Sequence, residues 1–369
     1  MSAIQTPVKL RGGESRAAAP VHPRDEAIAH AVERCRPLMI RPSGRARDDV
    51  IGAAIDAGAS GRAVYTFTDS EGLVRMAPAL FRASHLGLPI VMTVRNATGR
   101  RDHGQAMALR DCGWVQLYPT DDQDAIDTHI QAFRIAEAVS LPVMICTDVF
   151  TGACPTNPLQ VPSGAEIDAF LGRADVAPCV HSVGFDPRDQ HAEMRYLTHA
   201  KQSVALETIG QVAADFRAHF GRRSGGIMTT HRLYAAKIVA LGLGSTFEAI
   251  TAVVEGLKED RMSVGAIGLR SFRPLSTQTI AAALLHCQRV VIVERAVAVG
   301  IGGIVSTDVR SALARLPIQT HTVVAGLGDR AISLESLQRV LYQAAHGTLE
   351  ELSFLDVNRQ PVRAGRSVR

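Results

Sequence analysis

Short apolar runs alternate with amphipathic stretches along most of this chain. "RAVYTFT" (62–68), "LPIVMTV" (88–94), "WVQLYP" (114–119) and "LPVMICTDVF" (141–150) are apolar, β-branched or aromatic and short enough to be strands. Between and before them, "RDEAIAHAVERC" (24–35), "DDVIGAAIDAGAS" (48–60), "LVRMAPALFRASHLG" (73–87) and "DDQDAIDTHIQAFRIAEAVS" (121–140) carry apolar residues at helical spacing. Pro78 predicts an interruption of the third helix, and the acids opening the fourth suit the positive end of a helix dipole. Continuous apolar strands separated by helices predict a parallel sheet covered on both faces.

The alternation lapses after "CPTNPLQVPSG" (154–164), where two helices follow, "AEIDAFLGRA" and a long one over 189–223. It then resumes with strands "AKIVALGLGS", "SVGAIGLRSF", "RVVIVERA" and "IQTHTVVAGLG", and with helices beginning at Thr246, Ser276, Gly302 and Ser333. The chain therefore divides into a tail (1–24), a first domain (25–160), a linker with helices (161–225), a second domain (226–350) and a basic tail (351–369). The expected fold class is α/β, with two doubly wound parallel-sheet domains joined by right-handed crossovers.

Composition narrows the function classes. No apolar run approaches the ~18–20 residues of a membrane span, and residues 1–24 hold no stretch suited to a signal peptide. The net charge is +4, and Arg359, Arg363, Arg366 and Arg369 crowd the end of the chain. Such a run is ordinarily solvated, and no interleaved aromatics accompany it to stack on bases, so nucleic acid is not an expected partner. The six cysteines include no C-x-x-C pair, which argues against a zinc or iron–sulfur site on this chain and for buried thiols in a reducing cytoplasm.

Candidate chemistry lies where strands end. Thr68, Ser70 and Gly72 sit at a strand-to-helix turn, where ligands of parallel sheets bind; the competing reading is a helix cap by Asp69 or Ser70. "RNATGRRDHGQAMALRDCGW" (95–114) offers Arg95, Arg100 and Arg101 for a carboxylate or phosphate, and Asp102 with His103 as a hydrogen-bonded pair. "VALGLGSTFEAI" lacks the spacing of a phosphate loop, and the glycines of "VERAVAVGIGG" suit close backbone approach or an anion at the next helix start. Neither G-x-S-x-G nor H-E-x-x-H occurs.

Taken in order, these stretches resemble the α subunit of the pyruvate/2-oxoacid:ferredoxin oxidoreductases from about residue 25 to 345. "TFTDSEGLVRM" is similar to that family's T-x-T-x-S-Q-G-L-x-x-M, and "ASHLGLPIVM" to its A-S-G-L-x-L-P-I-V-M. "DHGQAMALRDCGWVQLY" resembles D-H-S-D-x-M-x-x-R-D-x-G-W-I-Q-L-Y, and "LPVMICTDVF" resembles L-P-V-M-V-x-x-D-G-F. "SVGAIGLRSFRPLS" and "VAGLGDR" continue the match in the second domain.

The resemblance implies a transketolase-like architecture. The first domain would form the pyrimidine side of a thiamine diphosphate site, and the second would be of the transketolase C-terminal type. A β-type partner subunit would carry the diphosphate and Mg²⁺. Iron–sulfur clusters on γ/δ-type or ferredoxin partners would take the electrons, and a 2-oxoacid would become an acyl-CoA. Thr68, Ser70, Gly72, Asp102 and His103 would line the cofactor side.

The departures from the family cluster at the same place. The family's Glu, which holds N1′ of the aminopyrimidine, aligns with Arg47, and Asp48 beside it is the available acceptor. Where the family has Y-P-I-T-P, this chain has "LMIRPSGRARDD", so Arg41, Arg45 and Arg47 turn the pocket toward a larger or more anionic acid. The family's carboxylate-binding Arg maps to Arg95 or Arg100, and Cys154 stands at a His position. A catalytically silent paralogue serving as scaffold or regulator is the alternative that the missing Glu favours.

Overall fold

The computed structural model describes residues 23–42, 50–96, 102–148, 158–172, 191–258, 262–328 and 330–358. In the first lobe the order is α1 (Pro23–Arg34), β1 (Leu38–Met39), α2 (Val50–Gly58), β2 (Val64–Asp69), α3 (Ser70–Arg75), α4 (Ala77–Leu86), β3 (Ile90–Asn96), α5 (Gly104–Ala108), β4 (Val115–Leu117), α6 (Asp122–Val139) and β5 (Val143–Asp148). Pro78 stands in the first turn of α4 and divides it from α3, as its missing amide requires. Helices α7 (Gly164–Leu171) and α8 (His191–Phe220) follow. Ile167, Phe170, Ile209 and Phe216 from this pair pack with Ala31 of α1 and Phe133 of α6. The linker helices thus cover one face of the first sheet.

The second lobe contains β6 (Met228–His231), β7 (Ile238–Leu243), α9 (Thr246–Gly256), β8 (Val264–Leu269), β9 (Ser271–Arg273), α10 (Thr277–Leu284), β10 (Arg289–Glu294), α11 (Val305–Leu313), β11 (Gln319–Val324), α12 (Leu334–His346) and β12 (Leu352–Phe354). The two sheets run β1-β2-β3-β5-β4-β9 and β12-β11-β10-β7-β8-β6. Each is parallel except at one edge, where β9 and β6 are antiparallel. Three local features differ from the sequence reading. "SVGAIGLRSF" is two strands, because the chain leaves β8 at Arg270 and lends β9 to the first lobe's sheet. β6 adds an edge strand upstream of β7. Leu352–Phe354, within the stretch read as a basic tail, pairs with β11.

The lobes share one apolar core. Val50, Met76, Trp114 and Met144 of the first lobe are continuous with Val239, Phe272, Ile280 and Val309 of the second. Polar clamps fix the joint. Asp124 at the start of α6 accepts from Thr120 N (2.9 Å), Ser224 Oγ (2.7 Å), Gly225 N (2.8 Å) and Arg270 Nε (2.9 Å). Burial alone would push this carboxyl up, but Arg270 and the amide donors outweigh it and hold it below its ordinary range.

The glycines of "VERAVAVGIGG" serve an anion that belongs to the protein. The Glu294 carboxylate accepts from the amides of Ile304 (2.7 Å), Val305 (2.9 Å) and Ser306 (3.2 Å) at the start of α11. A Cβ on Gly303 would overlap Glu294 Oε1, so a side chain there would displace the carboxylate from these amides.

Removing the Asp124 carboxylate leaves the partly buried Arg270 without its ionic partner. Asp124→Ala is expected to cost about 3–5 kcal/mol, read as a lower urea midpoint in equilibrium unfolding. A change below about 1 kcal/mol would show that the clamp is dispensable.

Candidate functional site

A cleft of about 440 Å³ opens at the carboxyl ends of β1, β2 and β3. Strand register builds its floor. Tyr65 pairs with Val91, Phe67 with Thr93, and Asp69 with Arg95, while Thr147 of β5 stands beside Arg95. Alternate residues of a strand face the same side, so Tyr65, Phe67 and Asp69 form successive rows from the buried end to the rim. Ile28, Ala29 and Val32 of α1 form the opposite wall, and Met39, Arg41 and Pro42 close one end.

The rim is charged. Arg95 NH2 donates to Asp25 Oδ2 (2.8 Å), and Asp25 also accepts from the buried Arg24 (2.9 Å). Arg41 lines the cleft and is exposed, with no ion pair among the described residues. It is the more available cation of the two.

The floor carries a chain of polar atoms. Tyr65 Oη lies 2.7 Å from Thr93 Oγ1, Thr93 Oγ1 lies 2.7 Å from His129 Nε2, and His129 Nδ1 lies 2.6 Å from the Ala125 carbonyl oxygen. Tyr65 and Thr93 line the cleft, whereas His129 is fully buried on α6. Burial lowers the His129 imidazole to about 4. Burial also pushes the Tyr65 phenol up to about 12.

A second polar cluster lies deeper, between the lobes. Asp148 at the end of β5 accepts from Asn96 Nδ2 (3.0 Å), His103 Nε2 (2.9 Å) and Ser245 Oγ (2.5 Å). Arg295 stands 3.7 Å away, and the Asp148 carbonyl accepts from Arg24 (2.7 Å). Burial opposes ionisation here, yet His103, Arg295 and the Asn96 amide hold the carboxyl well below its ordinary range.

Not all of the sequence candidates meet in the cleft. Arg41, Thr68 and Arg95 line it together. Asp69 caps α3 by accepting from Gly72 N (2.7 Å), so the capping reading holds for that residue. Ser70 is buried, and a Cβ on Gly72 would overlap Thr68 Oγ1; both lie in the first turn of α3, outside the cleft lining. The expected Asp102–His103 pair does not form. His103 bonds to Asp148, while Asp102 accepts from the amides of Gly104 (3.0 Å) and Gly328 (3.3 Å). Both belong to the joint between the lobes. Arg47, Asp48, Arg100 and Cys154 lie outside the described residues. Cys112 and Cys146 are buried, and burial pushes both thiols up to about 12, so neither is a nucleophile.

Sequence reasoning missed Tyr65, Thr93, His129 and Asp25. Tyr65 and Thr93 read as strand residues and His129 as a residue of the helix over 121–140. Only the alternation that puts Tyr65, Phe67 and Asp69 on one face signalled that they share a surface.

Residues 49–219 match the family model for the thiamine diphosphate-binding region of pyruvate flavodoxin/ferredoxin oxidoreductases, and residues 236–337 match core domain II of pyruvate:ferredoxin oxidoreductase. The chain is 32% identical to the pyruvate synthase subunit PorA of Methanosarcina barkeri, over 84% of this chain and 82% of that one. It is 31% identical to PorA of Thermotoga maritima, over 87% and 85%. It is 26% identical to the α subunit of the NADH-dependent phenylglyoxylate dehydrogenase of Aromatoleum evansii, over 87% and 84%. Among solved structures, a 2-oxoglutarate:ferredoxin oxidoreductase from Magnetococcus marinus superposes with a TM-score of 0.57 at 12% identity, covering 88% of this chain and 64% of that one. At that identity the likeness concerns the fold. Among the described residues no helix is long and apolar enough to cross a membrane.

The buried imidazole has a consequence for stability. Below the ordinary histidine value of ~6.5 the unfolded chain takes up a proton that folded His129 refuses until about pH 4. The His129 contribution is therefore complete above about pH 6.5 and is lost as pH falls toward 4, by roughly 3 kcal/mol. Asp148, held low, acts only below about pH 3.8. Urea midpoints taken between pH 7 and pH 4.5 should fall less steeply for His129→Gln than for the natural protein, and equal slopes would contradict this.

Proposed function

The chain belongs to the α-subunit family of the pyruvate/2-oxoacid:ferredoxin oxidoreductases, and from that premise we propose that it is the pyrimidine-side subunit of a thiamine diphosphate-dependent 2-oxoacid oxidoreductase. The observation that carries this reading is the convergence of Arg41, Thr68 and Arg95 on one cleft at the strand ends.

The cleft suits the pyrimidine half of the cofactor. Phe67 is 45% exposed and, with Met39, offers an apolar wall, while Thr68 brings a hydroxyl. Among the described residues no group of three or more His, Cys, Asp or Glu is disposed to hold a metal ion. By the family resemblance, the diphosphate and Mg²⁺ would be held by a β-type partner, and the iron–sulfur centres by γ/δ-type or ferredoxin partners. Bound thiamine diphosphate supplies the electron sink for loss of the 2-oxoacid's carboxyl group.

The chain's own residues bind and orient. Arg41 and the donors of Arg95 not engaged by Asp25 take the substrate carboxylate, and α1 excludes water from the apolar part of the cleft. Thr68 Oγ1 donates to the Asp69 carbonyl oxygen (3.2 Å), which leaves its lone pairs as acceptors. Asp48 is the proposed partner for N1′ of the aminopyrimidine, and the acyl group leaves on coenzyme A. The second reading, a silent scaffold, is favoured by Arg47 at the position of the family's Glu.

Co-expression with the β-type partner separates the two readings. The enzyme is expected to copurify with thiamine diphosphate and to reduce a dye in the presence of a 2-oxoacid. Arg41→Ala is expected to raise KM about ten- to a hundredfold, the worth of a hydrogen bond to a charged group, and Asp48→Ala to abolish turnover. A stable complex without turnover toward any 2-oxoacid would favour the scaffold.

A further inference from the structure

A second cavity, of about 480 Å³, lies away from the cleft. Its walls come from segments that precede strands of the first sheet, the end of α4 before β3 and Cys112–Gly113 before β4. Arg273 and Pro274, at the end of the antiparallel β9, and Asp308 of α11 close it from the second lobe. The cavity therefore sits at the amino-terminal ends of the strands, opposite the cleft, and touches both lobes. Its size is that of a small-molecule site.

The floor is held in one arrangement. Ser84 Oγ donates to the Cys112 carbonyl oxygen (2.6 Å), and Gln202 Nε2 donates to the Gly113 carbonyl oxygen (2.9 Å). Gly113 has a φ of +88°, and a Cβ there would overlap Ser84 and Thr198. This close approach locks α4, the turn at 112–113 and α8 together.

The charges on the walls divide into two groups. Arg273 lies 2.9 Å from Asp308 and 3.9 Å from Asp111, and Arg110 lies 3.7 Å from Asp111, so these four answer one another. The others are His85 of α4 with Arg195 and His199 of α8. None of these three makes an ion pair with an acid among the described residues. His191, one turn before Arg195, meets the His85 ring edge-on with centroids 5.5 Å apart. Burial, then His191 and Arg195, lower the His85 imidazole, as expected where cations crowd without a counter-ion. Guanidinium and imidazole donors suit phosphoryl oxygens. The apolar part of the lining, from Leu206, Pro274 and Leu275, suits an organic body.

We propose that this cavity is a second binding site, for an organic phosphate of nucleotide size, with Arg195, His85 and His199 on its phosphoryl oxygens. Leu206, Pro274 and Leu275 pack against the rest of the molecule. A ligand seated there spans both lobes and stabilises their joint.

The test titrates the full chain calorimetrically, at low ionic strength and with metal chelated, using ADP, inorganic pyrophosphate and adenosine. ADP is expected to bind more tightly than either fragment. Arg195 is exposed, so Arg195→Ala leaves the fold intact. It should weaken ADP about ten- to a hundredfold, the worth of hydrogen bonds to a charged group. Arg41→Ala, in the cleft, should leave ADP affinity unchanged. A local readout comes from proton NMR of the His85 ring, assigned by its loss in His85→Gln. The ring should titrate below ~6.5 in the free chain and move upward when ADP is bound, because an anion favours its charged form. No binding of ADP, binding that Arg41→Ala removes and Arg195→Ala spares, or a His85 titration unmoved by ADP would overturn the proposal. Adenosine or pyrophosphate binding as tightly as ADP would overturn it as well, since the site needs both the anion and its organic carrier. None of these readouts requires turnover or a partner subunit. Their failure leaves the enzymatic reading standing, and a complex without turnover leaves this site standing.

Discussion

One buried carboxylate holds the architecture of this subunit together. Asp148 ends the central strand of the first sheet and gathers donors from Asn96 at the end of β3, His103 before α5, and Ser245 before α9. Its main chain receives Arg24 from α1. A charge in that position is costly unless every lone pair is met, and here the two lobes and the first helix each supply a donor. The same arrangement fixes the strand ends that carry Arg95 and Thr147. The cleft is therefore positioned by the joint between the lobes as much as by its own walls.

The cleft is an adaptation of a common frame. The scaffold stretches resemble the family pattern, whereas Arg41, from a stretch that departs from it, lines the cleft. The positive charge of the rim is partly answered from within. Asp25 of α1 binds both Arg24 and Arg95, which ties the helix to the rim, and Arg41 is the exposed cation of the cleft among the described residues. The glycine-rich turns that invited a phosphate reading are used internally. Glu294 occupies the start of α11, and Gly244 packs beside Tyr118 and Pro119 of the first lobe.

Much of the fold was legible because its signals are local. Apolar runs such as "LPIVMTV", the break at Pro78 and the acids opening α6 each act within a few residues, and the structure places strand, break and helix there. The Asp69 cap was legible for the same reason. What stayed hidden depends on residues far apart in the chain. His103 and Asp148 are separated by 45 positions, and Asp148 and Ser245 by 97, so Asp102 seemed the nearer partner for His103. The path of β9 into the other lobe's sheet follows a similar rule, since Arg270 must reach Asp124 before the strand begins. Tyr65, Thr93 and His129 are ordinary strand and helix residues individually, and only sheet register and the packing of α6 reveal them as a chain.

The central claim is that the cleft at the ends of β1, β2 and β3 is half of a site completed by a partner that carries the diphosphate. Hydrogen exchange on this subunit, with and without the β-type partner and thiamine diphosphate, tests that claim most directly. The account predicts that protection gained on assembly centres on peptides spanning 38–42, 67–75 and 93–96. Protection confined to the second lobe, with these peptides exchanging as in the isolated chain, would contradict it.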